Sequence, residues 1–193
     1  TSKIIKEAQG LSINDFITKF HYLYIPTYQR AYSWKKNEIN ALFNDILNGS
    51  DGHFLGLFYT YYDSPTDGVQ ILDGQQRLTT IFIILKELSI YHDFIPSNSK
   101  YFDKFKNSEL IGVIKNLLIN PFDYPRIKLD NVNNKKFSDY IKSENSQKAI
   151  INRTTTDIWF ESHENLQKSI NLIRQTLKKT ILDDYDKFSK FIQ

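Results

Sequence analysis

The stretch Val69-Gln-Ile-Leu-Asp-Gly-Gln-Gln-Arg-Leu-Thr-Thr-Ile-Phe-Ile-Ile-Leu-Lys-Glu-Leu-Ser-Ile-Tyr-His92 decides how the chain is arranged. Val69 to Leu72 has the composition of a short buried strand and follows the turn-prone segment Asp63 to Gly68. Asp73-Gly74 breaks the strand, and a helix follows at once. From Leu78 to Leu88 apolar residues occur nearly all round that helix, not on one stripe, which predicts burial. Its polar first turn, Gln75, Gln76 and Arg77, is then held by the core behind it.

Such a turn suits an anion. The first N–H groups of a helix lack intrahelical partners, and the macrodipole puts partial positive charge there. A glycine at position 74 lets a ligand approach the backbone, and Arg77 offers a planar, permanently charged fork that matches phosphate oxygens. Asp73 either caps the helix or holds a Mg²⁺ whose other ligands are waters and phosphates. The competing reading is a capped helix after a tight Asp-Gly turn with solvated glutamines. A Walker A loop is excluded, because no Gly-Lys-Ser/Thr follows.

Toward the N-terminus, Ser12 with Asp15 three residues on marks a helix start that carries Ile13, Phe16, Ile17 and Phe20 inward. Tyr22 to Ile25 reads as a strand ending at Pro26. The tract Ile25-Pro-Thr-Tyr-Gln-Arg-Ala-Tyr-Ser-Trp34 then packs Tyr28, Tyr32 and Trp34 around the pair Gln29-Arg30. A loop of this kind can stack a planar ring and hydrogen-bond phosphate or base edges. Equally, it can pack on the core with Arg30 paired to an acidic neighbour. Glu38 to Leu47 is amphipathic through Ile39, Leu42, Phe43 and Ile46, with Gly49 placed to end the helix. Residues 53–62 have strand composition and form a plausible hairpin with 69–72. Gly56 within them suggests a bulge or a close backbone approach. His53 is a candidate polar group at that strand's start, or a structural histidine.

Beyond His92 the pattern predicts a helix over 101–119, an edge strand over 126–129 and a helix over 135–141. A polar loop covers 143–156, a long helix 157–179, and a last helical stretch 185–192. All the motifs precede residue 93, which suggests a first domain over 1–96 and a mainly helical extension over 97–193. The chain stops without a terminating signal, as if truncated before a further domain.

Composition narrows the classes. Of the 193 residues 40% are hydrophobic and 15% aromatic, enough for a packed core and too many for global disorder. With no cysteine there is no disulfide framework or thiolate site, which agrees with a cytoplasmic protein. No run of apolar residues reaches membrane-spanning length, so no membrane partner is expected. The four histidines, at 21, 53, 92 and 163, are too scattered for a zinc site. A net charge of +3 permits nucleic-acid binding without requiring it. Methionine is absent, so the start Met was removed or the chain is a fragment.

Taken together, the tract Ile25 to Trp34, the tetrapeptide His53-Phe-Leu-Gly56 and Leu72-Asp-Gly-Gln-Gln-Arg-Leu-Thr-Thr80 resemble the DGQQR-motif family. This is the N-terminal domain of GmrSD-type modification-dependent restriction enzymes. The resemblance is strong over 12–92 and weaker from 93 onward. It implies an α+β fold: a small ParB/sulfiredoxin-like mixed sheet with packed helices, followed by a mainly helical segment. It also implies a nucleotide-binding domain that hydrolyses nucleoside triphosphates and regulates bacterial anti-phage defence. Modified DNA would then be a partner, and the nuclease domain or subunit would lie outside this chain, which has no HNH-like cluster.

On that reading Asp73, Arg77 and Gln75 are catalytic, with Asp73 also the Mg²⁺ ligand. Gln29, Arg30, Gly74 and Gln76 bind the nucleotide and its phosphates, while Tyr28, Tyr32, Trp34 and His53 are candidate base or DNA contacts. The alternative is a ParB-like module that binds modified DNA and hydrolyses nothing. Nucleotide preference and oligomeric state are open at this point, as is activity of the fragment alone.

Overall fold

The computed structural model describes residues 8–48, 54–63, 68–106, 108–129, 132–153 and 158–192, with residues 63 and 181–185 described by backbone alone. The expected positions His53 and Gly49 lie outside the described residues.

The fold is α+β, a four-stranded mixed sheet with packed helices. The strands are β1 (Tyr22–Tyr24), β2 (Tyr59–Asp63), β3 (Gly68–Asp73) and β4 (Ile127–Lys128), in the order β2-β3-β1-β4. β1 runs parallel to both β3 and β4, with Leu23 opposite Val69 and Ile127, whereas β2 is antiparallel to β3. Leu23, Val69, Ile71 and Ile127 point into the core. Leu72 is 40% exposed, so β3 is buried on one face and not on both, as alternation along a strand permits. The expected hairpin forms, but its first strand starts at Tyr59. The register slips between Tyr59 and Thr60, where Leu72 of β3 is passed over between Ile71 and Asp73, so the irregularity sits there and not at Gly56.

Seven α-helices accompany the sheet among the described residues: α1 (Ile13–Thr18), α2 (Lys36–Asn48), α3 (Gln75–Ser89), α4 (Phe102–Lys106), α5 (Glu109–Leu118), α6 (Asn134–Lys142) and α7 (Glu161–Ile192). Ser12 caps α1 by accepting from the Asp15 N–H at 3.0 Å. α3 is the axis: every one of its residues except Arg77 is buried. It packs on α5 and α7, and α2 packs on α7. Each fully buried Leu, Ile or Phe of α3 contributes about 1.5–3 kcal/mol, so the helix and the turn at its head are firmly anchored. Elements from both sides of residue 96 share one sheet and one core. Arg126 shows how β4 is attached: it donates from Nε to the Asn116 carbonyl at 2.7 Å and from Nη1 to the Phe20 carbonyl at 2.9 Å.

Three helical expectations change. The helix expected over 101–119 is two, because Ser108 starts a new one by accepting from the Ile111 N–H. The helices expected over 157–179 and 185–192 are one, since no Gly or Pro interrupts 180–184. That helix begins only at Glu161. Phe160 donates its N–H to His163 Nδ1, and Ile158, 78% exposed, lies outside the core.

Two charged residues lie inside α3. Glu87 is 1% exposed and receives Arg174 Nε at 2.6 Å, Arg174 Nη2 at 2.9 Å and the Tyr140 hydroxyl at 2.9 Å. Lys86 donates to the Ser143 carbonyl, and burial pulls its pKa down to about 8. Between pH 8 and the ordinary lysine value the unfolded chain keeps this proton while the folded chain sheds it, so stability rises with pH there. Above pH 10 the raised hydroxyls of Tyr32, Tyr91 and Tyr140 reverse the trend. Lys86→Met is therefore expected to be more stable than wild type at pH 7 by about 2–3 kcal/mol, with the gap closing toward pH 9.5. Urea unfolding at both pH values measures it, and a pH-independent gap would refute the buried charge.

Candidate functional site

The site forms where β3 runs into α3. Gly74, at φ +90°, turns the chain in a conformation that favours glycine. Asp73 accepts the Gly74 N–H on Oδ1 at 2.8 Å and stays exposed at the end of β3. Gly74 is the N-cap and has no capping side chain, so the first N–H groups of α3 face outward without a cap. Asp73 therefore closes the turn ahead of the helix and does not cap α3 itself.

The aromatic tract docks onto this turn through the two glutamines. Gln76 Oε1 accepts the Ser33 N–H at 2.8 Å, and its Nε2 donates to the Ala31 carbonyl at 3.2 Å. Gln75 Nε2 donates to Gln29 Oε1 at 3.1 Å, and Gln29 Nε2 donates to the Leu72 carbonyl at 2.9 Å. Behind them Thr79 and Thr80 return their hydroxyl protons to the Gln75 and Gln76 carbonyls. Tyr32 consequently donates to Thr80 Oγ1 at 2.9 Å. Burial pushes the Tyr32 pKa up to about 12, so it stays a neutral donor.

α7 supports the same loop from below. Asn165 Nδ2 donates to the Tyr32 carbonyl at 3.4 Å, and Ser169 Oγ donates to the Trp34 carbonyl at 3.5 Å. No sequence signal marks these two, because they stand more than a hundred residues from the tract they brace.

The result is an open cleft of about 460 Å³, within the range of small-ligand sites. Gln29, Arg30, Trp34, Asp73, Gly74, Gln75, Gln76 and Arg77 all line it, together with Leu57. Eight of the expected positions thus converge on one place. Two described ones do not: Tyr32 is 4% exposed behind the glutamines, and Tyr28 is 70% exposed and is not part of the cleft wall. Tyr32 has the position of a brace, not of a base contact.

The Gln76 amide is likewise spent on the protein. Gln76→Leu is expected to cost about 1–3 kcal/mol of stability by leaving the Ser33 N–H and Ala31 carbonyl unpaired. A shift of the urea midpoint measures this, and an unshifted midpoint would show that the bracing is dispensable.

A family model described as GmrSD restriction endonuclease, N-terminal domain, matches residues 13–192. The chain belongs to this family. The match covers α5, α6 and α7 as well as the motif-bearing half, so the GmrSD N-terminal domain takes in the whole described core. It makes the chain part of a GmrSD-type restriction system, a class of anti-phage defence that acts on DNA and carries its nuclease as a separate domain. No curated protein matches the chain. No described helix is long and apolar enough to cross a membrane.

Among the described residues no cluster of three or more His, Asp or Glu side chains gathers as a metal cage. Asp73 is the one carboxylate on the described cleft wall. With one oxygen held by the Gly74 N–H, its donor set fits a Mg²⁺ that arrives on phosphates and keeps most of its waters. It does not fit a metal held by protein alone.

Proposed function

We propose that the cleft binds a Mg²⁺-nucleoside triphosphate and hydrolyses it, and that this turnover regulates the DNA response of the restriction system. The observation that carries the reading is the convergence of Arg30, Arg77 and the uncapped N-terminus of α3 on one open cleft with a single carboxylate at its wall. Phosphoryl transfer asks a protein chiefly for positioning and charge neutralisation. The outward N–H groups of Gln75 and Gln76 receive phosphate oxygens. Arg77 and Arg30 take up charge developing on the transferred group.

Gln75 has its Nε2 committed to Gln29, which leaves Oε1 to orient the attacking water. Trp34, lining the cleft, offers a ring face to the base. Asp73 would hold the Mg²⁺, which supplies charge neutralisation on the phosphates. Tyr28, exposed outside the cleft wall and next in sequence to Gln29, favours a second role for this tract, in contact with DNA.

The test is phosphate release and equilibrium binding with MgATP and MgGTP, comparing wild type with a folded Asp73→Asn variant. Wild type is expected to turn over at least one nucleotide, and Asp73→Asn to lose about 10²-fold in rate. Failure of wild type to bind either nucleotide, with or without DNA, overturns the proposal.

A further inference from the structure

Arg77 is the one residue of α3 that is not buried, and its guanidinium has an unusual neighbour. A Cβ built on Gly56 would stand 2.3 Å from Arg77 Nη1, 2.7 Å from Cζ and 3.0 Å from Nη2. The whole guanidinium head therefore lies against the Gly56 backbone, in space that any other side chain would fill. Gly56 sits at φ +111°, which side-chain-bearing residues rarely adopt.

Two residues on, the Phe58 ring lies 5.9 Å from Arg77 Cζ, within cation–π range. The same ring covers Gly74, where a Cβ would meet it at 2.6 Å. It is itself stacked on Phe16 of α1, at 5.0 Å between centroids and 16° between planes. Residues 56–58 thus form a wall that touches the phosphate turn at two points, with a glycine at each.

Resting on the nucleotide reading above, we propose that Gly56 is a positioning residue: it seats the Arg77 guanidinium between the Gly56 backbone and the Phe58 ring, so that the fork meets phosphate already ordered. An exposed arginine gives up side-chain freedom when it binds, and one that is held in advance gives up less. The clash at Gly56 falls on the far end of a long side chain, so in Gly56→Ala Arg77 swinging away relieves that contact, while the strain of a Cβ at φ +111° stays in the backbone. Phe58→Leu leaves that backbone alone and isolates the effect on Arg77.

The experiment has two arms. In the first, MgATP or MgGTP affinity is measured for wild type, Gly56→Ala, Arg77→Ala and the double variant. Both single variants are expected to weaken binding by a similar factor, about tenfold or more, and the double no more than Arg77→Ala alone. Independent, multiplying losses overturn the inference.

In the second arm, modification by phenylglyoxal is followed residue by residue by mass spectrometry, without nucleotide. Arg77 is expected to react several-fold faster in Gly56→Ala, with the exposed Arg30 unchanged as internal reference. Unchanged Arg77 reactivity overturns the inference. Phe58→Leu, which frees the guanidinium without touching the strained backbone, is expected to accelerate labelling too and serves if Gly56→Ala does not fold. Should wild type bind no nucleotide, the functional reading fails, and the labelling arm alone decides whether Gly56 seats Arg77.

Discussion

Glu87→Ala is expected to lower the free energy of unfolding by about 3–5 kcal/mol, a large part of the stability of a domain this size. The side chain accepts two bonds from Arg174 and one from Tyr140, and Arg174 Nη2 goes on to the Ala149 carbonyl at 2.8 Å. One carboxylate thereby joins α3, α6, α7 and the segment leading into α7. Truncation leaves a guanidinium whose side chain is 14% exposed without its counter-charge, and the buried Tyr140 hydroxyl without an acceptor.

The ionisation behaviour points the same way. Burial alone would lower the Arg174 pKa, yet the hydrogen bond and charge of Glu87 raise it. Burial, with Glu87 beside it, drives the Tyr140 hydroxyl well above its ordinary range, so it remains a donor at any working pH. Glu87→Gln, which keeps the shape and one acceptor oxygen, is expected to fall between wild type and alanine. Urea unfolding of the three proteins provides the comparison. A loss below about 1 kcal/mol for Glu87→Ala would mean that the network breaks even against solvent, as exposed pairs do.

That network also marks where the sequence stopped being legible. α3 could be recognised because its apolar residues leave no polar stripe, and that recognition located the polar turn at its head. The same pattern could not explain Lys86 and Glu87 within the helix. The partner of Glu87 lies 87 residues downstream, and helical periodicity carries no information over that distance. Gln76 and Tyr32 were visible as motif residues, but their division of labour was not. A glutamine aimed at a ligand and one aimed at a loop backbone look alike until the Ser33 N–H is seen to meet it.

Gly56 was partly legible, since a glycine among strand-forming residues predicts a bulge or a close approach. Here the approach is made by a side chain from α3, while the register irregularity lies at Tyr59–Thr60. The sequence pattern predicts two helices where α7 is one, because polar residues such as Lys178, Lys179, Asp183 and Asp184 dilute the apolar stripe. Dilution alone does not end a helix whose backbone bonds continue.

Arg77→Ala is expected to reduce nucleotide turnover by about 10²-fold, the lower end of the scale at which loss of one preorganised charge contact is felt, because the cleft is open to water. Arg77→Lys is expected to recover little of it. An ammonium is a compact, strongly hydrated point charge, and it cannot lie flat against the Gly56 backbone or present two parallel donors to phosphate. Arg30 offers the contrast. It lines the same cleft but is exposed, so Arg30→Lys preserves most of what a mobile surface charge supplies. Raising the ionic strength should weaken the Arg30 contribution more than that of Arg77, because screening acts most on exposed charges.

Steady-state rates of the four proteins at two salt concentrations separate these cases. Full activity in Arg77→Lys would mean that charge alone matters at the head of α3 and that the seat built by Gly56 and Phe58 serves packing. Equal losses in the two lysine variants would put both arginines on the phosphates in the same way. A loss confined to Arg77→Lys would tie turnover to the orientation of the guanidinium plane, the property that residues 56–58 are arranged to fix.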